Sequence, residues 1–159
     1  MAIKDIAFLS ATELGSAIRS KEVSPVEAVE AYLERIDRID PQVNSYITVC
    51  AEQARGEALQ AEAEIRRGQY RGPLHGIPIG LKDQIHTKGI LTTDASKIRS
   101  DFVPGEDATV VTNLKNAGAI VLGKLNMSEF AHGEPHSSAF GPARNPWDLT
   151  RSPGVSSSG

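Results

Sequence analysis

Ile77-Pro78-Ile79-Gly80-Leu81-Lys82-Asp83 is the stretch on which the fold turns, because apolar residues alternate there with proline, glycine and lysine. A period of two predicts a β-strand. Pro78 places that strand at a sheet edge or makes it irregular, since proline cannot donate to a ladder. Further on, Asp107 can cap a helix running through Ala117, with Val110, Val111 and Leu114 buried and Gly118 as the stop. Ala119-Ile120-Val121-Leu122 then reads as a strand buried on both faces. Strand, crossover helix and strand in that order predict α/β architecture with a parallel pair.

Upstream, the pattern is helical. Ser10-Ala11-Thr12-Glu13 and Ser24-Pro25-Val26-Glu27 both have capping-box spacing, the second with proline at the first helical position. Val26, Val29, Leu33 and Ile36 form an apolar stripe behind the second box. Tyr46-Ile47-Thr48-Val49 leans towards β structure, and Ala54, Ala58, Ala61 and Ile65 mark a third helix ended by Arg66-Arg67-Gly68. Residues 1–68 are therefore expected to form a helical layer, and 69–159 the first part of an α/β domain, together one incomplete domain. Asn126-Met127-Ser128-Glu129 predicts a further short helix, whereas 133–159 shows only loop chemistry.

Composition narrows the function classes. At 159 residues and 40% apolar, the chain can bury a core, and a net charge of −3 with scattered basic residues gives no electrostatic footprint for nucleic acid. Cys50 is the sole cysteine, so no internal disulfide forms. Met1-Ala2-Ile3-Lys4-Asp5 does not open a signal peptide, and no run approaches the roughly 18 apolar residues of a membrane span. A soluble cytoplasmic protein is expected.

Two segments carry chemistry. Lys82 ends the strand on the face opposite Ile77, Ile79 and Leu81, where Pro78 and Gly80 leave room for another group. A lysine acts as a base only when neutral, which requires its ordinary pKa of about 10.4 to be lowered by burial or a neighbouring cation. Asp83 points the other way on a regular strand, so it need not hold Lys82 charged. By itself Lys82 also reads as a strand-end lysine reaching water. The second segment is Ser152-Pro153-Gly154-Val155-Ser156-Ser157-Ser158-Gly159, whose small residues let backbone N–H groups and hydroxyls approach a ligand. By itself it also reads as a flexible surface loop. A serine activated by a lysine is an arrangement that hydrolases use.

No metal or cofactor is expected. His132 and His136 have i,i+4 spacing, but Pro135 interrupts the helix that would align them. His75 and His86 flank the Lys82 strand and could line a pocket, but each reads first as a surface or loop histidine.

The block Gly72-Pro73-Leu74-His75-Gly76-Ile77-Pro78-Ile79-Gly80-Leu81-Lys82-Asp83 resembles the lysine segment of the amidase signature family. So do Thr92-Thr93, Gly123-Lys124-Leu125-Asn126-Met127-Ser128-Glu129-Phe130 and Ala139-Phe140-Gly141-Pro142-Ala143-Arg144-Asn145-Pro146-Trp147-Asp148, in the family's order. The resemblance implies a partial amidase signature fold: N-terminal helices followed by the start of a mixed, largely parallel sheet with flanking helices. It implies cleavage of carboxylic amides by a Ser–cis-Ser–Lys triad, with Lys82 as the catalytic lysine and Ser156 as the bridging serine. Met127 and Ser157 become candidates for the substrate pocket.

The family also includes the A subunit of glutamyl-tRNA amidotransferase, which would bring partner subunits and tRNA in addition to a small-molecule amide. Its nucleophilic serine lies beyond Gly159, so the expectation is an N-terminal portion that does not turn over alone and self-associates through uncovered sheet. A non-catalytic fragment or inactive derivative with a binding role is the other reading. Three residues depart from the family pattern, one of them Ser158, where the family's loop has a glycine. Val155 stands where a glycine precedes the bridging serine, and Ala95 replaces a glycine usual after the paired threonines.

Overall fold

Both capping boxes form. A computed structural model describes residues 6–132, 134, 137–154 and 156–159. Ser10 Oγ accepts the Glu13 N–H while the Glu13 carboxylate accepts the Ser10 N–H, opening α1 (Ala11–Ser20). Ser24 and Glu27 make the same exchange at the start of α2 (Pro25–Val43). Each box satisfies amides that the first helical turn leaves without partners. After β1 (Tyr46–Val49), α3 (Ala51–Arg66) buries Ala54, Ala58 and Ala61, and Gly68 follows it with a positive φ.

The predicted edge strand is β2 (Pro78–Lys82), and the buried strand is β3 (Ile120–Leu125), with α4 (Thr109–Asn116) between them. The sheet has the order β1-β3-β2, so Pro78 does lie on an outer strand. β2 and β3 advance together: the Ile120 N–H donates to Ile77 C=O at one end and the Asp83 N–H to Leu125 C=O at the other. This is the expected parallel pair. β1 runs antiparallel to β3, with Tyr46 opposite Leu125 and Val49 opposite Gly123. The central strand is buried along Ile120–Lys124, as its apolar run predicts.

Two local expectations differ. Val110 is half exposed, and only Val111 of α4 is fully buried, because an eight-residue helix turns a narrow stripe inward. The Asn126–Glu129 box does not form. Glu129–Ala131 is a single 3-10 turn with Phe130 at positive φ, the Glu129 N–H goes to Ser137 Oγ, and the Asn126 side chain is committed elsewhere.

The chain divides into two compact units. One comprises Met1–Ile36, Cys50–Ile79 and Thr112–Leu122; the other comprises Asp37–Val49, Gly80–Val111 and Gly123–Gly159. Boundaries between the units fall within β2 and β3. Leu14, Ile18, Val23, Ala28, Ile65 and Ile77 form the core of the first unit.

The same unit buries charge. Arg71 donates twice to the Glu64 carboxylate, at 2.8 and 2.7 Å, and Gln60 adds a third bond at 3.0 Å. Those bonds, led by Arg71, hold Glu64 down at about 2. His75 is buried rather than exposed: its Nδ1 accepts the Arg71 N–H, and its Nε2 lies 3.1 Å from a Glu64 oxygen without an aligned hydrogen bond. Burial lowers the His75 pKa, outweighing the attraction of Glu64. Gly118 makes this packing possible. Its φ is +89°, and a Cβ there would lie 2.6 Å from His75 Cδ2 and 2.9 Å from His75 Cα.

Gly118→Ala should therefore cost roughly 2–4 kcal/mol, from backbone strain plus overpacking, read as a lowered urea midpoint. The ion pair, its carboxylate buried and its guanidinium partly exposed, gives a pH signature. Between about 4.5 and about 2 the unfolded chain protonates Glu64 while the folded chain does not, so that stability is present above this window and lost on descending through it. His75 has the same sign at higher pH, since the unfolded chain takes its proton first below about 6.5. Glu64→Gln should lose roughly 2 kcal/mol at pH 7, and the gap to wild type should narrow as urea midpoints are followed from pH 7 to pH 3.

Candidate active site

The parallel register of β2 decides what its last residue can reach. Lys82 is half-buried at the strand end, and its Nζ donates to Ser156 Oγ at 3.0 Å across 74 residues of sequence. The two residues singled out for catalysis are therefore in contact. Asp83, next along the chain, faces elsewhere as strand alternation requires. Its carboxylate is fully buried and accepts the Thr93 N–H at 2.9 Å, the Thr93 hydroxyl at 2.5 Å and the Ala95 N–H at 3.1 Å. Lys82 is thus left to Ser156.

Those bonds fold the 92–95 loop tightly. Asp94 and Ala95 both sit at positive φ, at 53° and 54°. A left-handed conformation costs a non-glycine residue about 1–2 kcal/mol. Here the Asp83 carboxylate and the Ala139 N–H, donated to Ala95 C=O at 2.8 Å, hold it in place.

The serine loop is anchored by Asn126. The Asn126 C=O accepts the Ser158 and Gly159 N–H groups, at 3.2 and 2.9 Å. Asn126 is itself fully buried, donating through Nδ2 to Asn44 C=O and Gly141 C=O and accepting the Met127 N–H. Met127 and Ser157, the pocket candidates, form an antiparallel bridge; Met127 is buried and Ser157 exposed. Val155, and with it the expected cis bond before Ser156, lies outside the described residues, as do Pro135 and His136. His86 is exposed and packs at a tilt against Phe102.

A family model described as Amidase matches residues 27–159. The chain belongs to the amidase family. It is 49% identical over 156 residues to the glutamyl-tRNA(Gln) amidotransferase A subunit of Moorella thermoacetica, covering 98% of this chain and 32% of that protein. The corresponding subunit of Geobacter metallireducens is 53% identical over 152 residues, covering 95% of this chain and 31% of that one. Among solved structures, the peptide amidase of Stenotrophomonas maltophilia superposes with a TM-score of 0.90 at 37% identity, covering 96% of this chain and 33% of that chain. A fatty acid amide hydrolase gives a TM-score of 0.92 at 27% identity, covering 99% and 28%. The chain thus spans about a third of the length of the relatives it matches. Its α/β fold is the amidase signature fold in part.

Within this family member, three polar residues that shape the site carried no role in the sequence reading: Asp83, Lys124 and Asn126. Each is fully buried. The available signal was a charged residue, Lys124, continuing the apolar run that starts at Ala119. Asn126 showed capping-box spacing, which pointed to a helix, and a place in the family block Gly123–Phe130.

Asp83→Ala should lower stability by about 3 kcal/mol or more in urea unfolding, because the Thr93 and Ala95 amides would lose a charged acceptor while remaining buried. Asp83→Asn keeps one acceptor and should fall between it and wild type.

Proposed function

We propose that Lys82 and Ser156 form the proton relay of an amide-cleaving active site. The observation that carries this reading is the 3.0 Å Nζ–Oγ contact. With the amine neutral, the same contact runs in reverse, the Ser156 hydroxyl donating to the Nζ lone pair. Ser156 can then take the proton of a second serine hydroxyl as that oxygen attacks the amide carbonyl. Collapse of the tetrahedral adduct breaks the C–N bond, and the proton returns through Ser156 to the departing nitrogen. Water, attacking the acyl-serine by the same relay, releases the carboxylic acid.

By family resemblance, the second serine is supplied by residues that follow position 159. The chain on its own is therefore proposed to bind and relay without turning over. Ser157 and Met127 are proposed to border the substrate, Ser157 from the exposed loop and Met127 from beneath it.

A second reading is favoured by the relatives at 49% and 53% identity, both of them glutamyl-tRNA(Gln) amidotransferase proteins by name. In that reading the released ammonia passes to an activated acyl group on glutamyl-tRNA(Gln) rather than leaving, and partner subunits hold the acceptor.

A chimera in which residues 1–159 replace the matching third of the Moorella thermoacetica protein tests both readings. It should hydrolyse amides, and Lys82→Ala and Ser156→Ala should each lower kcat by about 1,000-fold or more. Retention of turnover in either variant would overturn the relay. Amidation of glutamyl-tRNA(Gln) in the presence of that organism's partner subunits separates transfer from simple hydrolysis. The isolated chain should show no turnover that Lys82→Ala abolishes.

A further inference from the structure

Lys124 is a lysine with no exposed surface, set in a strand otherwise built of isoleucine, valine, leucine and glycine. Burying an ammonium is costly unless its donors are met. They are: Nζ donates to Ile85 C=O at 2.7 Å, to Thr92 Oγ1 at 2.7 Å and to Asp83 C=O at 3.3 Å. All three acceptors belong to the segment that leaves β2 immediately after Lys82.

That segment is held at Asp83 through its N–H, its C=O and one carboxylate oxygen, Oδ2. Its N–H is held by Leu125 C=O, its carboxylate accepts Thr93 and Ala95, and its C=O accepts Lys124. The peptide joining Lys82 to Asp83 is thereby held through its N–H on Leu125 C=O, and the peptide that follows it through its C=O on Lys124 Nζ. Two residues along from Lys124, Asn126 C=O holds the serine loop through Ser158 and Gly159. One short stretch, Lys124–Asn126, therefore sets where both partners of the relay begin. An apolar side chain of the same length would fill the space but release the β2 exit.

We propose that Lys124 is a positioning residue: it fixes the β2 exit so that Lys82 Nζ meets Ser156 Oγ. The proposal rests on the relay reading of that pair. A role in stability alone would leave the Lys82–Ser156 contact intact in any variant that still folds, so the contact itself is the quantity to measure.

The full chain labelled with 13Cε-lysine provides it, with the Lys82 resonance assigned by its loss in Lys82→Arg. In wild type, Ser156→Ala should displace the Lys82 Cε resonance. In Lys124→Met, shown to be folded by its amide spectrum, the displacement caused by Ser156→Ala should fall to less than a third. An unchanged displacement would overturn the positioning role and leave the relay standing. No displacement in wild type would overturn the relay, and the positioning role with it. Should Lys124→Met not fold, Thr92→Val decides: it removes one acceptor of Nζ and should also weaken the displacement, with Thr92→Ser restoring it. Equal displacement in Thr92→Val and Thr92→Ser would overturn the proposal.

Discussion

Central placement of β3 is the constraint from which the rest of the molecule follows. A strand paired on both sides has no exposed ladder, so its backbone groups are satisfied by β1 and β2, and its side chains from Ile120 to Lys124 are buried as well. The parallel neighbour then has a fixed register, with Ile77 beside Ile120 and Asp83 beside Leu125. Register determines which residue occupies the strand end, and that residue is Lys82. A slip of one position would exchange Lys82 for Asp83 on the face that meets Ser156.

Buried polar groups do the remaining work of placement. Asp83, Lys124 and Asn126 each make several hydrogen bonds, and most of their partners are backbone groups of loops. Loops have no ladder of their own, so a buried side chain that accepts or donates several times gives them one conformation. The αL backbone at Ala95 shows the force of this arrangement, since alanine takes a conformation there that glycine would adopt more easily. The Glu64–Arg71–His75 cluster plays a similar part for the segment leading into β2.

Much of the fold was legible. Ser10, Glu13, Ser24 and Glu27 announce two helix starts because a capping box is local, needing only residues three apart. The alternation at residues 77–82 and the apolar run at 119–122 gave the strands, and Pro78 gave the edge. Legibility failed where a local signal competed with distant partners. Asn126-Met127-Ser128-Glu129 has the spacing of a box, but Asn126 is drawn to Asn44 and Gly141 and Glu129 to Ser137. Val110 fits a helical stripe that the short α4 does not bury.

By itself, the sequence determined the α/β class, the parallel pair, and the two residues, Lys82 and Ser156, that carry the resemblance to the amidase family's chemistry. These rest on periodicity and on short motifs, both of which are properties of neighbouring residues. Only the tertiary structure decided that Lys82 and Ser156 touch, that His75 and Lys124 are buried, and that Asn126 anchors the serine loop. Each of those facts depends on contacts between residues far apart in the chain. Pairing distant strands costs chain entropy that no local pattern encodes, and it is recovered only when the whole set of buried contacts forms together.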